Sequence, residues 1–520
     1  MRDTVTINPT GRIDRRNLYT TGDTYDVISR ENMCVIGLNK EGRKVKKVSG
    51  SDRFNSTSVG TNPFVSGIRY YTKNNFRKTF AYNKDGYIYF FDELGNTTQI
   101  SQPSGVFAST ARPCWQIIRV SDTDILYFSE GVSTGMFYYD GDSDNVFHKA
   151  NEVTLNFVGM VSWLDRLWGF EEDSEDIYFS VNLEPTDFTD STDAGQITVG
   201  SKRGSKIQQI IVFRDYLYIF KEDSIWRVNG RTPSEFSMEL VVDGFGLSAR
   251  HSLAKDTFET KMFLLGSDFE AYEFGGSADS LKLLTYNLAL SGDLTKDLVP
   301  LINRNRMTEI SGTYHNRLYR LSFVENGAVT PNLEYCYNTT NETDFLTRGN
   351  NVTCYIPYDR YPDMGQLFTG NSGFGRLMVQ YRGLNWDNQA SSPVMITKTQ
   401  TKFYGYGAKN IRLRRVWLNN GILGERDIPI KTYIDTRIAS SDATSDDYQI
   451  WGEEKNPTTM LSIASQAALT SRGIPRHANS KGQNFSFEID EELKDRDFEF
   501  TSFECEIISK EKKRSHHVGV

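Results

Sequence analysis

Between about Arg69 and Gln380 the chain repeats one pattern: an apolar, aromatic-rich run, a corner of charged or small residues, and a second aromatic-rich run. The units read "FAYNKDGYIYFFDELG" from Phe80, "DILYFSEGVSTGMFYYDGD" from Asp124, "LDRLWGFEEDSEDIYFS" from Leu164 and "RDYLYIFKEDSIWRV" from Arg214. They continue with "KMFLLGSDFEAYEFGG" from Lys261, "HNRLYRLSFVENG" from His315 and "GQLFTGNSGFGRLMVQ" from Gly365. Aligned on Tyr87, Leu126, Leu167, Leu217, Phe263, Leu318 and Leu367, they recur at intervals of 39, 41, 50, 46, 55 and 49 residues. That is the length of a four-stranded blade with variable loops. Corners such as Lys84-Asp85-Gly86, Glu171 to Glu175, Lys221 to Ser224 and Gly266-Ser267-Asp268 suit hairpins, because Gly, Asn and Asp tolerate the required backbone angles. In the fourth unit Leu217 and Ile219 alternate with Tyr216, Tyr218 and Phe220, so both faces are apolar and both should be covered. Blades packed face to face around an axis meet that demand and leave few sheet edges exposed. The pattern therefore predicts an all-β chain with a β-propeller over residues 31–385; a set of irregular β-sandwiches is the competing architecture. Seven hairpins are visible, but the last could close the first blade, so six or seven blades fit and the reading leans to six.

After Tyr381 the pattern changes to longer alternating runs. "NIRLRRVWL" puts Ile411, Leu413 and Trp417 in one phase, "DIPIKTYID" groups Ile428, Ile430 and Ile434, and "NFSFEID" aligns Phe485, Phe487 and Ile489. In "DFEFTSFECEII" the phase switches between Phe500 and Phe503, which predicts a bulge near Thr501-Ser502. These runs predict a β-sandwich-like domain over residues 386–510. Asn456 as a cap, Pro457, and the Gly473 and Pro475 stop suggest a helical insertion over 457–472, with an ordered loop as the alternative. Residues 1–30 read as an N-terminal arm and 511–520 as a tail.

Composition narrows the function classes. The chain has 520 residues and a net charge of −8, which argues against tight nucleic-acid binding, since that needs a basic face to displace counterions. Cys34, Cys114, Cys336, Cys354 and Cys505 form no C-x-x-C pair, giving neither a disulfide framework nor a zinc site. Six N-x-[ST] sequons, Asn55 and Asn338 among them, are the chance yield of an Asn- and Thr-rich chain. "MRDTVTINPTGRIDRR" has no apolar signal core, and no apolar run approaches ~18 residues, so no membrane-spanning segment is expected.

Candidate chemistry is sparse. His148, His251, His315 and His477 lie in no nucleophile motif, His516-His517 sit in the tail, and no G-x-S-x-G occurs, so no catalytic residue is assigned and no enzyme is expected. Asp140, Asp142 and Asp144 in "DGDSDN" alternate as in a calcium loop. The sixth and twelfth positions, which need Gly and an acid, hold Asn145 and Asn151, so a plain turn is the better reading and the three aspartates remain a weak calcium candidate. No other metal and no cofactor is expected. The basic stretches "SKRGSK" (201–206) and "SKEKKR" (509–514) read as solvated charge clusters. Lys221-Glu222-Asp223 reads as a hairpin corner, with Trp226 buried between blades behind it.

The order of features resembles the tail nozzle, or packaged-DNA stabilisation, proteins of short-tailed bacteriophages. The likeness rests on "IQQIIVFRDYLYIFKEDSIWRVNG" from Ile207, "FSMELVVDGFGLSARHSLA" from Phe236 and "KMFLLGSDFEAYEFGG" from Lys261, and extends from "GRLMVQYRG" through "FEFTSFECEI". The resemblance implies a structural virion protein in the phage tail. It implies a homohexameric ring below the portal and adaptor complex, touching tail adaptor and tail fibre or spike proteins, through which double-stranded DNA passes without sequence-specific binding. The family carries no signature active site, so no lumen or binding residue follows from it. A carbohydrate-binding or glycan-cleaving tail propeller, with acids such as Glu171-Glu172, is the alternative. A cellular scaffold propeller should show regular WD-type dipeptides, which are absent.

Overall fold

In the computed structural model the repeats fold as four-stranded antiparallel blades, seven of them around one axis. The structure describes residues 2–16, 19–20, 25–37, 43–60, 62–71, 77–100, 107, 112–121, 123–132, 135–141, 146–150, 153–200, 204–293, 295, 298–357, 365–382, 386, 395–405, 411–422, 426–435, 453–454, 459–463, 476–482, 484–493 and 499–509. The innermost strands of blades one to four are Phe64–Tyr71, Cys114–Val120, Phe157–Trp163 and Ile207–Phe213. Those of blades five to seven are Ala254–Lys255, Ser311–His315 and Val352–Ile356. They neighbour one another in order, and the seventh lies beside the first.

The ring is closed by the other end of the chain. Phe374–Gln380 of blade seven pairs with Ser51–Arg53, in the register Gln380 to Ser51 and Met378 to Arg53. The last hairpin therefore builds a blade of its own, and the count is seven rather than the six toward which the sequence leaned. The short run "VTCYI" supplies its inner strand, and its outer strand lies some 300 residues upstream, beyond the reach of a local pattern.

Most seams between blades carry an apolar core, as expected for strands apolar on both faces. Phe80, Phe128, Phe137 and Tyr139 join blades one and two. Trp168, Phe170, Ile207 and Leu217 join three and four, and Phe220, Ile225, Leu264 and Phe274 join four and five. Blades seven and one meet over Phe64, Phe91, Ile356 and Phe368. Close approach needs glycine at Gly67, where a Cβ would lie 2.8 Å from the Ile356 side chain across that seam. The corners joining the first two strands of blades three, four and six hold both central residues at positive φ: Leu164-Asp165 (53° and 56°), Arg214-Asp215 (49° and 63°) and Asn316-Arg317 (52° and 62°). These are two-residue turns of the type whose twist matches paired strands.

Both chain ends build a second module. One sheet runs Met33–Ile36, Lys44–Lys47, Glu499–Ser509, Ile411–Ile422 and Arg476–Gly482, with Arg2–Ile7 also pairing to Glu499–Ser509. The other contains Val27–Glu31, Met395–Thr401, Asn484–Leu493 and Arg426–Asp435. Phe487 and Phe503 stack between the two sheets, ring centroids 5.5 Å apart. The expected bulge is present: Asn419 pairs with Ser502 and Asn420 with Phe500, skipping Thr501. Two expectations are corrected here. Within the expected arm over 1–30, Arg2–Ile7, Tyr19–Thr20 and Val27–Glu31 are strands of this module, and within the expected propeller Met33–Ile36 and Lys44–Lys47 belong to it as well, because their sheet partners come from the C-terminal end. Within the expected helical insertion Thr459–Ile463 is a strand paired to Arg426–Ile430, since an open edge there outweighs a weak helical pattern. Residues 464–472 lie outside the described residues. Among the described residues no helix is long and apolar enough to cross a membrane.

The module is stitched to blade six. Glu31 pairs with Leu346 in parallel register, and the buried Arg30 donates to the carbonyls of Pro9 (2.7 Å), Gly11 (2.9 Å) and Asp344 (3.1 Å). The Asp344 carboxylate accepts from the Ile13 amide at 2.7 Å and pairs with Arg12. Lys402 and Asp14 form a buried ion pair at 2.5 Å.

Candidate functional site

The charged corner of blade four divides into two kinds of residue. Lys221 ends its strand with no solvent exposure, donating to the Val199 carbonyl at 2.8 Å with Glu175 at 3.9 Å. Glu222 is exposed and takes only the Gln208 amide at 3.2 Å. Asp223 accepts from the Ser205 and Ser224 hydroxyls. The cluster is a structural corner, but its lysine is core rather than solvated. Trp226 is half-buried rather than enclosed: it lies on the third strand of the blade, against Gly200.

The other sequence candidates stay apart. Asp140 follows the strand Met136–Tyr139, while Asp142 and Asp144 lie outside the described residues. Lys206 donates to the Asp173 carbonyl at 2.7 Å; residues 201–203 and 510–514 lie outside the described residues. His148, His251 and His315 occupy three different blades. Glu171 accepts the Asn156 amide at 2.9 Å, and Glu172 takes both terminal nitrogens of Arg250 at 2.7 and 2.9 Å.

The residues that do converge are ones no motif singled out. All innermost strands begin at the same end of the propeller axis. There Arg112, just ahead of blade two, donates to the carbonyls of Val65 in blade one (2.9 Å) and Thr353 in blade seven (3.3 Å). It also reaches Thr308 (2.8 Å) and Ile310 (2.7 Å) at the entry to blade six. A side chain from blade two that bonds to blades one, seven and six must lie across the axial opening. Burial, and the repulsion of Arg250, lower its pKa to about 10, so the guanidinium stays charged at neutral pH. Arg250, opening blade five, donates to the Gln208 carbonyl of blade four at 3.1 Å and lies over the Phe170 ring of blade three at 5.6 Å. Beside it His251 has its pKa pushed well below the ordinary value by burial and by Arg112 and Arg250, so it is neutral. Cys114 lies within electrostatic reach of Arg250, and Cys354 of Arg112. Burial pushes their thiols up to about 12 and about 11, which leaves them protonated and poor nucleophiles. Chemically, this end of the axis is a clasp: its cations are spent on carbonyls and on Glu172.

A second convergence, of polar groups, lies between blades six and seven. Arg320 donates to both oxygens of Glu334 (2.9 and 3.1 Å), and Tyr355 (2.6 Å), Thr347 (2.5 Å) and Asn350 (2.8 Å) donate to the same carboxylate. Asn350 continues to Gln380 at 3.0 Å and Gln380 to Thr369 at 2.8 Å. Arg320 and Glu334 are 3 % and 1 % exposed, so neither reaches a ligand from solvent. Among the described residues no group of three or more His, Cys, Asp or Glu is placed to hold a metal ion.

Blade three carries a concavity of its own. A cleft of about 250 Å³ is walled by Leu155, Tyr178, Phe188, Thr189 and Gln196 among others.

No family model matches the chain, and no curated protein matches it. Among solved structures it is similar to the extracellular domain of BT4673 from B. thetaiotaomicron, with a TM-score of 0.41 and 11% identity over 70% of this chain and 43% of that one. The chain thus spans less than half of that protein's length. It is also similar to U3-55K (TM-score 0.41, 10% identity, 64% of this chain and 98% of that one). A third likeness is to the WD40 repeats of RRP9 (TM-score 0.37, 11% identity, 64% and 99%).

Proposed function

We propose that the chain is a non-enzymatic structural subunit, a tail nozzle protein of a short-tailed phage that forms a ring-shaped DNA conduit below the portal and adaptor proteins. The resemblance of Ile207 to Gly230 and the segments after it supports this reading. The structural observation that carries it is the construction of the body. The propeller axis is clasped at one end by Arg112, and a module built from both chain ends is locked to the wall of blade six. A clasped propeller is not itself a duplex channel. A conduit then has to form between copies, around an axis outside each propeller, which is what a hexameric ring supplies. The acidic net charge of −8 suits a wall along which DNA slides without counterion-releasing contacts.

The glycan-cleaving alternative draws little from Glu171 and Glu172, since each carboxylate is already engaged, one by a backbone amide and one by Arg250. Hydrolysis needs two carboxyl groups facing across a cleft roughly 5 to 9.5 Å apart. The test of the nozzle reading is mass photometry of the purified chain mixed with the portal and adaptor proteins encoded beside its gene. The expected result is a defined higher assembly whose images show a ring. A chain that stays at its ~59 kDa monomer mass in every mixture sinks the reading.

A further inference from the structure

We propose that the blade-three cleft is a binding site for a neutral saccharide ring, a role that does not depend on the nozzle reading. Tyr178 and Gln196 are direct partners across the strands Asp176–Phe179 and Gly195–Thr198. They therefore stand side by side on one face of the sheet. Phe188, from the loop between those strands, and Leu155, from the connection leading into blade three, also line the cleft. Both rings are held from behind by the fully buried Phe157, at 5.3 Å from Phe188 and 6.3 Å from Tyr178. The platform is thus ordered before any ligand arrives, which lowers the entropic cost of binding. Next to it Gly195 is required, because a Cβ there would lie 2.9 Å from the Phe179 ring.

The polar complement selects the ligand class. Tyr178, Gln196 and Thr154 line the cleft, and the Tyr178 hydroxyl, the Gln196 amide and the Thr154 hydroxyl have no hydrogen-bond partner among the described residues. Together they offer both donors and acceptors to a ligand. Among the described residues no charged side chain lines the cleft, so none of them compensates a phosphate or an ammonium group there. Glu171 and Asp176 lie close enough to act on the Tyr178 phenol, and their field disfavours anions. Half-exposed aromatic faces beside free amide and hydroxyl groups suit a ring with one apolar C–H face and a rim of hydroxyls. The volume of about 250 Å³ is below the roughly 300 Å³ at which drug-sized sites begin, enough for one ring and part of a second. Glu171 and Glu172 are occupied elsewhere, so the site binds and does not cleave.

The test is saturation-transfer NMR on the full chain with methyl glucoside, methyl galactoside and N-acetylglucosamine, and glucose 6-phosphate as the anionic control. At least one neutral pyranoside should bind with a Kd on the order of 1 mM. Tyr178→Ala and Gln196→Ala should each weaken it about tenfold, whereas Tyr216→Ala, an exposed aromatic on blade four, should leave it unchanged. Gln196 is exposed, so its variant folds and decides the matter even if Tyr178→Ala does not. No signal from any neutral pyranoside, an unchanged signal in Gln196→Ala, or equal binding of glucose 6-phosphate overturns the proposal.

Discussion

Lys221 and Glu222 are neighbours with opposite surroundings, and the sequence showed only that both are charged. The corner was legible because its residue types recur at other corners. The burial of Lys221 was not, since it depends on the Val199 carbonyl arriving from the outer edge of the preceding blade. Lys221→Ala should cost about 2 kcal/mol, from lost stem packing and an orphaned carbonyl, against about 0.5 kcal/mol or less for Glu222→Ala. Full burial of Trp226 would have implied about 3 to 5 kcal/mol for its truncation; half-buried, it should cost about 1 to 2 kcal/mol. Urea melts of the three variants check the ranking, and a Glu222 variant costlier than Lys221 contradicts it. At the seam of blades six and seven, Arg320→Met strips Glu334 of its cation within a buried network and should cost about 3 to 5 kcal/mol. Tyr355→Phe, removing one neutral donor of several, should cost about 1 kcal/mol. His251 sets a pH dependence. Its folded pKa lies below the unfolded value of about 6.5, so the unfolded chain binds the extra proton, and stability falls as pH drops below about 6.5. Glu172 and Glu325, lowered chiefly by bonds from Arg250 and Arg348, lose their contribution only as pH falls below the ordinary carboxylate range near 4. A His251→Gln variant should therefore flatten the melting-temperature profile between about pH 5 and 7 and leave the acid limb intact.

At the scale of elements, the repeat was readable because blade strands are apolar on both faces and their corners are short. Six of the seven alignment positions, from Leu126 to Leu367, fall at or beside the second strand of a blade; Tyr87 instead precedes a third strand, that of blade one. The convergence of Arg112, Arg250 and His251 left no such signal, since it joins the first residues of strands far apart in the chain. The turn corners permit a sharper test. Arg214-Asp215 and Asn316-Arg317 share one backbone geometry, with both residues in the left-handed region that disfavours side chains. Arg317 is exposed and its side chain has no partner among the described residues, so Arg317→Gly relieves strain and should raise stability by about 0.5 kcal/mol. Arg214 instead reaches the next blade, donating to the carbonyls of Glu259 (2.9 Å), Thr260 (2.7 Å) and Gly275 (3.0 Å). Arg214→Gly removes those ties and should lower stability by about 1 to 2 kcal/mol. Opposite shifts in melting temperature are expected from chemically identical changes. Shifts of the same sign would mean that backbone strain, rather than the tie between blades, governs these corners.

At the scale of the whole molecule, ring closure and the terminal module are one event. Only Val48, Ser49 and Gly50 separate Lys44–Lys47, a strand of the module, from Ser51–Arg53, the strand that completes blade seven. Loosening the module therefore pulls on the closure, and opening blade seven frees the module. This coupling was invisible in the sequence, where residues 1–30 read as an arm, because β pairing between chain ends leaves no local trace. Asp344 is the natural place to test it. Its carboxylate holds the Ile13 amide and Arg12, and its carbonyl holds Arg30, but it belongs to neither blade seven nor the module. Asp344→Ala keeps the carbonyl, leaves the Ile13 amide without its acceptor and strips Arg12 of its carboxylate partner, so that Arg12 keeps only the Leu284 carbonyl as acceptor among the described residues, at a cost of about 2 to 3 kcal/mol. If module and closure are one cooperative unit, hydrogen exchange should quicken together in Val27–Glu31, Glu499–Ser509 and Phe374–Gln380, while the strands of blades two to four keep their protection. Faster exchange in the module with unchanged protection of Phe374–Gln380 would instead mean that the ring holds itself shut. Ser51–Arg53 would then be a closure independent of the module that precedes it.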